Sequence, residues 1–493
     1  MTAEHRQFDV VIVGCGPTGA TLGLLLANAG IKTCILEKAR DIYPLPRAVH
    51  FDDEIMRIFQ NADIAETLAP CLHVNAGMQF LDQEGTTLLN WPRSQQITQQ
   101  GWHASYRVHQ PDLEMILREK LKQVASVELK TEMEVVDIKN EGEQLCVRAR
   151  DLGTGHTEEM TAHYLVGCDG ANSFVRRLLP QGIEDLGFQQ RWLVIDVILK
   201  LDMPQLGEYT LQYCDPKFPM TYCRNPGFRR RWEMAIDETL SDEVVQDHNR
   251  IWQILEKWVT PECAKIERTA VYQFRSILAE HWREGRVMIA GDAAHLTPPF
   301  MGQGMCAGIR DASNLAWKLT SCLENGHNDI LLSTYEEERK PHVRKFIETA
   351  VQLGELICSK APEQALSTFA PDAVEKNAMK SLTPPLGQSK LSRLVGTSMP
   401  LVGTLFGQPW SLSGRKMDEI FPYQPILISS KPIKESLYPV ASSKDFPELG
   451  EILAELNWAG ALIRPDRYIL TYTASHAETL SLALNQNIRN CFA

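Results

Sequence analysis

The chain has 493 residues, 44% hydrophobic and 23% charged, and 50 Lys+Arg stand against 62 Asp+Glu for a formal charge of −12. The length predicts about three domains and the composition an ordinary globular protein, which excludes a small disulfide scaffold, a disordered tail and a fibrous repeat. The acidic balance, with no basic cluster to offset it, argues against nucleic acid as a partner. Residues 8–13 (FDVVIV) form an apolar run of strand length, followed by Gly14-Cys15-Gly16-Pro17-Thr18-Gly19 and a helical pattern through Leu22, Leu25, Leu26 and Ala29 that Gly30 closes. A second run, Lys32–Leu36, ends at Glu37. This strand-helix-strand unit predicts a parallel, doubly wound sheet.

Tyr164–Cys168 before Asp169-Gly170, and Val287–Ala290 before Gly291-Asp292, read as further strands of that sheet. Each sets an acid at a strand's C-terminal end, where open α/β sheets bind ligands. Between them, residues 192–236 break into short aromatic and β-branched segments separated by Pro, Gly and Asp, an inserted and mainly antiparallel sheet. Helical spacing begins near 305 with Ile309, Ala312, Leu315, Ala316 and Leu319 on one face and runs to about 360, and Pro362, Pro371, Pro384 and Pro385 mark a connector. Ile426–Ser429, Tyr468–Thr471 and a helix over Ala477–Leu484 suggest a small C-terminal α/β domain. The expected domains are 1–184, with 70–105 contributing to the inserted sheet, then 185–275, 276–360, a connector 361–404, and 405–493. Twelve scattered cysteines form no CxxC and thirteen histidines no HExxH, so no metal site is expected. The opening residues carry no export signal and no apolar stretch reaches the roughly 20 residues of a membrane span, which predicts a cytoplasmic protein without membrane association.

The GxGxxG of Gly14, Gly16 and Gly19 follows a strand and opens a helix, and Glu37 comes 23 residues after Gly14, close to where an acid meets a ribose hydroxyl. Such a turn lets backbone approach a pyrophosphate at a helix N-terminus. By itself it leaves FAD and NAD(P) open. In Gly291–Met305, Asp292 can accept from polyol hydroxyls, and the glycines allow backbone to approach a flat ring ahead of a helix whose N-terminus favours the charge of a reduced flavin. Taken alone, that segment reads equally as a strand-capping loop with Asp292 as a helix cap.

Three motifs stand in order: GCGPTG at 14–19, CDGANSFVRR at 168–177, and GDAAHLTPPFMGQGMCAGIRDASNLAWKL at 291–319. Together they resemble the class A FAD-dependent aromatic hydroxylases, the fold group of p-hydroxybenzoate hydroxylase, over residues 8–345. PRAVHFDDEIMRIFQ at 46–60, YRVHQPDLE at 106–114, QYCDP at 212–216 and RRRWEMAI at 229–236 resemble the 3-(3-hydroxyphenyl)propionate hydroxylases within that group. The resemblance implies a Rossmann-like FAD domain with an inserted substrate sheet and a thioredoxin-like C-terminal domain, which without CxxC is structural or oligomer-forming, as in a homodimer. It further implies that Gly14, Gly16, Gly19 and Glu37 bind the ADP half of FAD, that Arg47 and Gln110 lie along the diphosphate and ribityl, and that Asp292 holds the ribityl. Asp169 with Gly170 matches a motif tied to FAD and NAD(P)H handling, Arg176 is a candidate pyrophosphate partner, and Pro299, Gly304 and Met305 border the isoalloxazine.

With no second GxGxxG, NADH or NADPH is expected as a transient reductant. The implied reaction reduces FAD, captures O₂ as a flavin C4a-hydroperoxide and hydroxylates a small phenolic acid such as 3-(3-hydroxyphenyl)propionate. Alternatives are a polycyclic or N-heterocyclic substrate, or a flavin-binding protein without turnover. Substrate-side candidates are His50, His103, Arg191, Tyr213, Tyr222 and Arg224, of which Tyr213, Tyr222 and His50 are preferred as catalytic. His295 is assigned to the cofactor loop without an acid–base role.

Overall fold

Val10, Val11 and Ile12 offer no polar alternation to water, and the strand they form, Arg6–Val13, lies within a parallel sheet and is buried along its second half. The computed structural model describes residues 6–180, 182–359, 379–395, 399–433 and 436–475, with residues 361, 364 and 477. Thr33–Leu36 and Thr157–Gly167 flank the first strand in parallel, placing Thr33 and Tyr164 on either side of Val10. Val127–Lys130 and Val287–Ile289 extend the sheet outward, and Leu145–Asp151 and Met133–Asn140 add antiparallel strands to Thr157–Gly167. Helix Pro17–Asn28 is apolar and buried over most of its length, as a helix packed on several sides must be. It packs against helices Gln110–Lys122 and Gly304–Asn325. Helix Asp329–Ile357 completes the helical stretch expected after 305.

The second sheet is built on two long antiparallel strands, Ile183–Leu199 and Ala264–Ala279, which pair from Ile183 opposite Ala279 to Leu199 opposite Ala264. Arg229–Ala235, Met220–Arg224 and Thr210–Tyr213 follow in antiparallel order. Gly77–Leu81, parallel to Thr210–Tyr213, and then Thr87–Pro92 extend it, so residues from the 70–105 stretch join this sheet. Side chains alternate across it. Leu193, Ile195, Tyr222, Trp232 and Met234 pack with Ile251 and Leu255 of helix His248–Leu255 on one face. Gln212, Thr221, Cys223, Arg231 and Glu233 turn the other face to a deep cleft against the first sheet. A small third sheet, with Ser105–Arg107 between His50–Asp52 and His73–Val74, closes one end of that cleft.

Near the C-terminus, Val440–Ser442, Ile426–Ser429, Gly460–Ile463 and Ile469–Thr473 form a four-stranded sheet whose first pair is parallel and whose others are antiparallel. Helix Pro447–Glu455 places Leu449 and Leu453 against Ile426 and Ile428. Buried ion pairs dock this unit on the rest: Arg57 meets Asp418 at 2.8 Å, and Glu338 takes Lys318 at 2.8 Å and Arg464 at 2.9 Å. Apart from Ala477, the helix expected over Ala477–Leu484 lies outside the described residues, as do Pro362, Pro371 and Cys491. Among the described residues no helix is long and apolar enough to cross a membrane, and no group of three His, Cys, Asp or Glu is placed to hold a metal ion.

Candidate active site

At one end of the cleft the turn after Arg6–Val13 is forced to be glycine. Gly14 has φ +100°, and a Cβ there would sit 2.4 Å from the Cys168 carbonyl oxygen. A Cβ on Gly19 would lie 2.1 Å from the Gly14 carbonyl oxygen, whereas one on Gly16 would meet no protein atom within 4 Å. Gly16 caps helix Pro17–Asn28 without a side-chain hydrogen bond, so the first N–H groups of that helix remain open toward the cleft. Glu37, just past Thr33–Leu36, accepts from the Cys15 N–H at 2.7 Å and the Ala39 N–H at 2.8 Å, which fixes its carboxylate at the cleft wall.

Farther along, the Gln110 side-chain carbonyl accepts from the Arg47 and Ala48 N–H groups at 3.1 and 2.6 Å, and its amide donates to Glu114 at 2.7 Å. From the second sheet Arg231 donates to the carbonyls of Pro46 and Arg47, at 2.5 and 3.0 Å, and is itself held by Asp196 at 2.7 Å. The loop bearing Arg47 is thus pinned from two sides, with the guanidinium stacked over Tyr43. Arg231 was not singled out from the sequence: its partners are the carbonyls of a loop nearly two hundred residues earlier.

Asp292 follows Val287–Ile289. Its surroundings are deep enough to push its carboxyl pKa up by burial, yet the side chain is exposed to the open space of the cleft and accepts no hydrogen bond among the described residues. The loop beneath it is anchored by Asp311, which accepts from the Gly291 N–H at 3.0 Å and pairs with His295 at 2.6 Å and Arg339 at 2.8 Å. His295 is therefore a buried anchor of the loop, turned away from the cleft. Arg176 donates to the Ala293 and Ala171 carbonyls at 2.9 and 2.6 Å and does not line the cleft, which corrects its expected place beside a pyrophosphate. Asp169 lines the cleft, but its carboxylate accepts from Ser173 Oγ at 2.5 Å and the Phe174 N–H at 2.6 Å and so holds its own loop.

Pro299, Gly304 and Met305 line the far end of the cleft with Gly302, whose φ is +63°. His50 reaches this end. Asn75 donates to Ser105 Oγ at 3.0 Å, which directs the Ser105 hydroxyl proton to His50 Nε2 at 2.7 Å. The other ring nitrogen, Nδ1, then carries the proton and faces the Gly302 carbonyl at 3.4 Å. Burial, reinforced by the charges of Arg107 and Arg93, pushes the His50 pKa down to about 3, so the ring is neutral. The whole cleft encloses about 1510 Å³. A single small-molecule site is roughly 300–1,000 Å³, so this space suits an extended dinucleotide and a second ligand together.

Residues 7–350 match the FAD binding domain family. The chain belongs to this family. It is 40% identical over 354 residues, 71% of the chain and 66% of the relative, to a probable NADH-specific resorcinol 4-hydroxylase from Rhodococcus jostii (strain RHA1). It is 34% identical over 377 residues, 76% of the chain and 67% of the relative, to a 3-(3-hydroxy-phenyl)propionate/3-hydroxycinnamic acid hydroxylase from Burkholderia cenocepacia (strain HI2424). The match to the first spans slightly less than two thirds of that relative's length. The fold is also that of the flavin-dependent monooxygenase PieE, at a TM-score of 0.82 and 18% identity over 98% of this chain and 99% of that one. Aklavinone-11 hydroxylase matches with a TM-score of 0.79 and 19% identity over 99% and 100% of the two chains. The resemblance of the three motifs to FAD-dependent aromatic hydroxylases is thus shown.

FAD is the cofactor of this family, and the cleft fits it. The open face of Gly16, the uncapped helix N-terminus and the unpartnered Asp292 carboxylate all line the cleft, and they offer what a pyrophosphate and a polyol chain require. The flavoprotein's substrate-side candidates fare differently. Tyr213 and Tyr222 do not line the cleft: Tyr213 accepts from Trp258 Nε1 at 3.1 Å and Tyr222 packs on Trp232 at 5.2 Å, both on the sheet's other face. Arg191 is tied to Asp242 and the Leu240 carbonyl, Arg224 to Glu208, and His103 packs edge-on to Tyr106, all outside the cleft. Of the preferred three, only His50 lines it. Tyr213→Phe and Tyr222→Phe are expected to keep their FAD and to change substrate-stimulated NADH oxidation by less than about twofold, since each ring stays within its packed layer. A tenfold loss in either, measured with FAD still bound, would return that hydroxyl to the chemistry.

Proposed function

We propose that this protein is a monooxygenase that uses FAD, NADH and O₂ to add one hydroxyl to a small phenolic acid such as 3-(3-hydroxyphenyl)propionate. The observation that carries the reading is the continuity of the cleft: the wall of Gly14, Glu37 and Asp292 runs without interruption into an end lined by Gly302, His50 and the polar face of the second sheet. The relatives named above support a phenol carrying a second substituent in the meta position, and the first of them supports NADH as reductant. In balance, the aromatic C–H, O₂, NADH and a proton give the aromatic C–OH, NAD⁺ and water.

Bound FAD supplies the hydride acceptance and the O₂ activation, chemistry that side chains lack. Gly14 and Gly16 would bring backbone to the pyrophosphate, while Gly19, which does not line the cleft, lets the helix pack close on the Gly14 turn; Glu37 would meet the adenosine ribose, and Arg47, held by Gln110 and Arg231, would lie along the diphosphate. Asp292 would accept from the ribityl hydroxyls. Pro299, Gly304 and Met305 border the ring, and Asp169 keeps the loop after Thr157–Gly167 in place. His50, neutral and bonded through Ser105 and Asn75, holds the Gly302 loop as a positioning residue. Its low pKa makes it a poor acceptor of the phenol's proton. We read the C-terminal unit as thioredoxin-like and structural, held by its buried ion pairs.

The test is NADH oxidation by the FAD-loaded protein under air, with 3-(3-hydroxyphenyl)propionate or resorcinol added. Stimulation of tenfold or more, with a dihydroxylated or trihydroxylated product, is the expected result. FAD bound with no stimulation by either phenol would overturn the substrate class.

A further inference from the structure

Two arginines at the His50 end of the cleft have no carboxylate to neutralise them. Arg107 lies in register opposite His50 on the small third sheet, is 7% exposed, and donates to Thr210 Oγ1 of the second sheet. Arg93, just beyond Thr87–Pro92, donates from Nη1 to Ser381 Oγ at 3.0 Å, while its buried Nε meets no acceptor. Both line the cleft. Among the described residues neither has a carboxylate within 4 Å, a state shared by the buried Arg118 and Arg230, whereas the buried Arg57, Arg231, Arg268, Arg310, Arg339, Arg464 and Arg467 each have one within 3.0 Å. The acids whose fields reach the pair are already engaged: on the Arg93 side Asp52 by Arg310 at 2.6 Å and Asp53 by the Thr98 hydroxyl at 2.6 Å, and on the Arg107 side Glu233 by Arg231 at 3.4 Å.

Leaving two like charges unpaired in a buried corner is costly, and pairing with a desolvated anion relieves that cost. The same two charges oppose protonation of the neighbouring His50. Beside them stands an apolar wall: Met78 and Trp91 face each other across two strands, and Phe300, Met301 and Leu353 join them in one packed cluster that borders the cleft. Fixed positive charge next to a wall able to take a ring is the chemistry of an aromatic acid. We propose that Arg93 and Arg107 form a receptor for the carboxylate of an aromatic acid bound at the flavin end of the cleft. The proposal deepens the phenolic-acid reading and rests on it for the hydroxylation, while the receptor itself can be tested without turnover. Arginine suits the role because its planar fork engages both carboxylate oxygens.

The experiment is calorimetric titration of the FAD-loaded protein with two probes: 3-phenylpropionate, which has the carboxylate and no hydroxyl, and resorcinol, which has hydroxyls and no carboxylate. Wild type should bind 3-phenylpropionate, Arg93→Met and Arg107→Met should weaken it at least tenfold, and resorcinol affinity should change less than twofold. Arg93→Lys, which keeps the charge and loses the fork, should fall between, and it carries the test if the methionine variants do not retain FAD. Resorcinol weakened as much as 3-phenylpropionate would mean that the pair faces a phenolate, and would overturn the carboxylate receptor. So would wild type that does not bind 3-phenylpropionate at millimolar concentration. Arginine-dependent binding without hydroxylation would instead uphold the receptor and remove the monooxygenase reading.

Discussion

Gly16→Ala should give a folded protein that purifies with little or no FAD, while Gly14→Ala should damage the fold and FAD binding together. The two glycines are two residues apart and differ in what a methyl group would meet. At Gly16 the backbone has φ −74°, which alanine adopts freely, and the added Cβ would have no protein atom within 4 Å. Its only neighbour would be the ligand. The thermal midpoint of the apoprotein should therefore stay within about 2 °C of wild type, whereas FAD affinity should fall about tenfold or more, the equivalent of ~1.4 kcal/mol. At Gly14 a side chain must adopt φ +100°, at a cost of about 1–3 kcal/mol, and its Cβ would press to 2.4 Å from a backbone oxygen. That oxygen belongs to Cys168, whose N–H donates to Val13 at 2.7 Å, so relief would require the first and second motifs' strands, Arg6–Val13 and Thr157–Gly167, to part at their C-terminal ends. Flavin absorbance after gel filtration, read beside apoprotein melting, separates the two effects. FAD content equal to wild type in Gly16→Ala would place the pyrophosphate elsewhere.

Asp418→Ala should be the most destabilising of the substitutions away from the cleft. The carboxylate is fully buried, pairs with Arg57 through both oxygens at 2.8 Å, takes Arg467 at 3.0 Å and accepts from Asn61 at 3.1 Å. Its removal strands two buried guanidinium groups at the seam between the C-terminal unit and the FAD-binding part of the chain. Loss of one partner from such a buried group costs about 3–5 kcal/mol. Arg6→Ala, which breaks an exposed pair with Glu128, should cost under ~1 kcal/mol, both variants being read by denaturant titration. The seam also sets an acid limit. Asp418 and Glu338 are both held below their ordinary carboxylate range by the arginines and lysine around them, Glu338 at about 2. A group whose folded pKa is depressed stabilises the fold above its unfolded value, near 3.9 for Asp and 4.3 for Glu, and loses that contribution as pH falls toward the folded value. Stability should therefore drop between about pH 4.3 and 2 in wild type, and Asp418→Ala should flatten part of that slope. A wild-type curve level through this window would remove the seam from the acid limb.

What could be read from the sequence was what is local. The turn of Gly14, Gly16 and Gly19, the acid at Glu37 and the loop from Gly291 to Met305 each lie beside a strand whose apolar run announces it, and the structure lines the cleft with residues from all three. The tyrosines failed for a reason of parity. Successive residues of a strand face opposite ways, so choosing Tyr213 and Tyr222 over Gln212, Thr221 and Cys223 chose the wrong side of the sheet. The alternation was visible in TLQY and MTYCR, but the sequence did not say which side helix His248–Leu255 would cover. Arg93, Arg107 and Arg231 carry no local signal, because each takes its meaning from partners, or the lack of them, brought in by distant chain. Arg57 and Asp418 are 361 residues apart. No periodicity links them.

The central claim is that the cleft places a phenol at a flavin that transfers one atom of O₂ to its ring. The most direct measurement is product mass after turnover with NADH under ¹⁸O₂. One labelled oxygen per hydroxylated 3-(3-hydroxyphenyl)propionate, with NADH consumed in near-equal amount, is the result this account predicts. Hydroxyl oxygen drawn from water, or NADH oxidised only to H₂O₂ with the phenol unchanged, would contradict it.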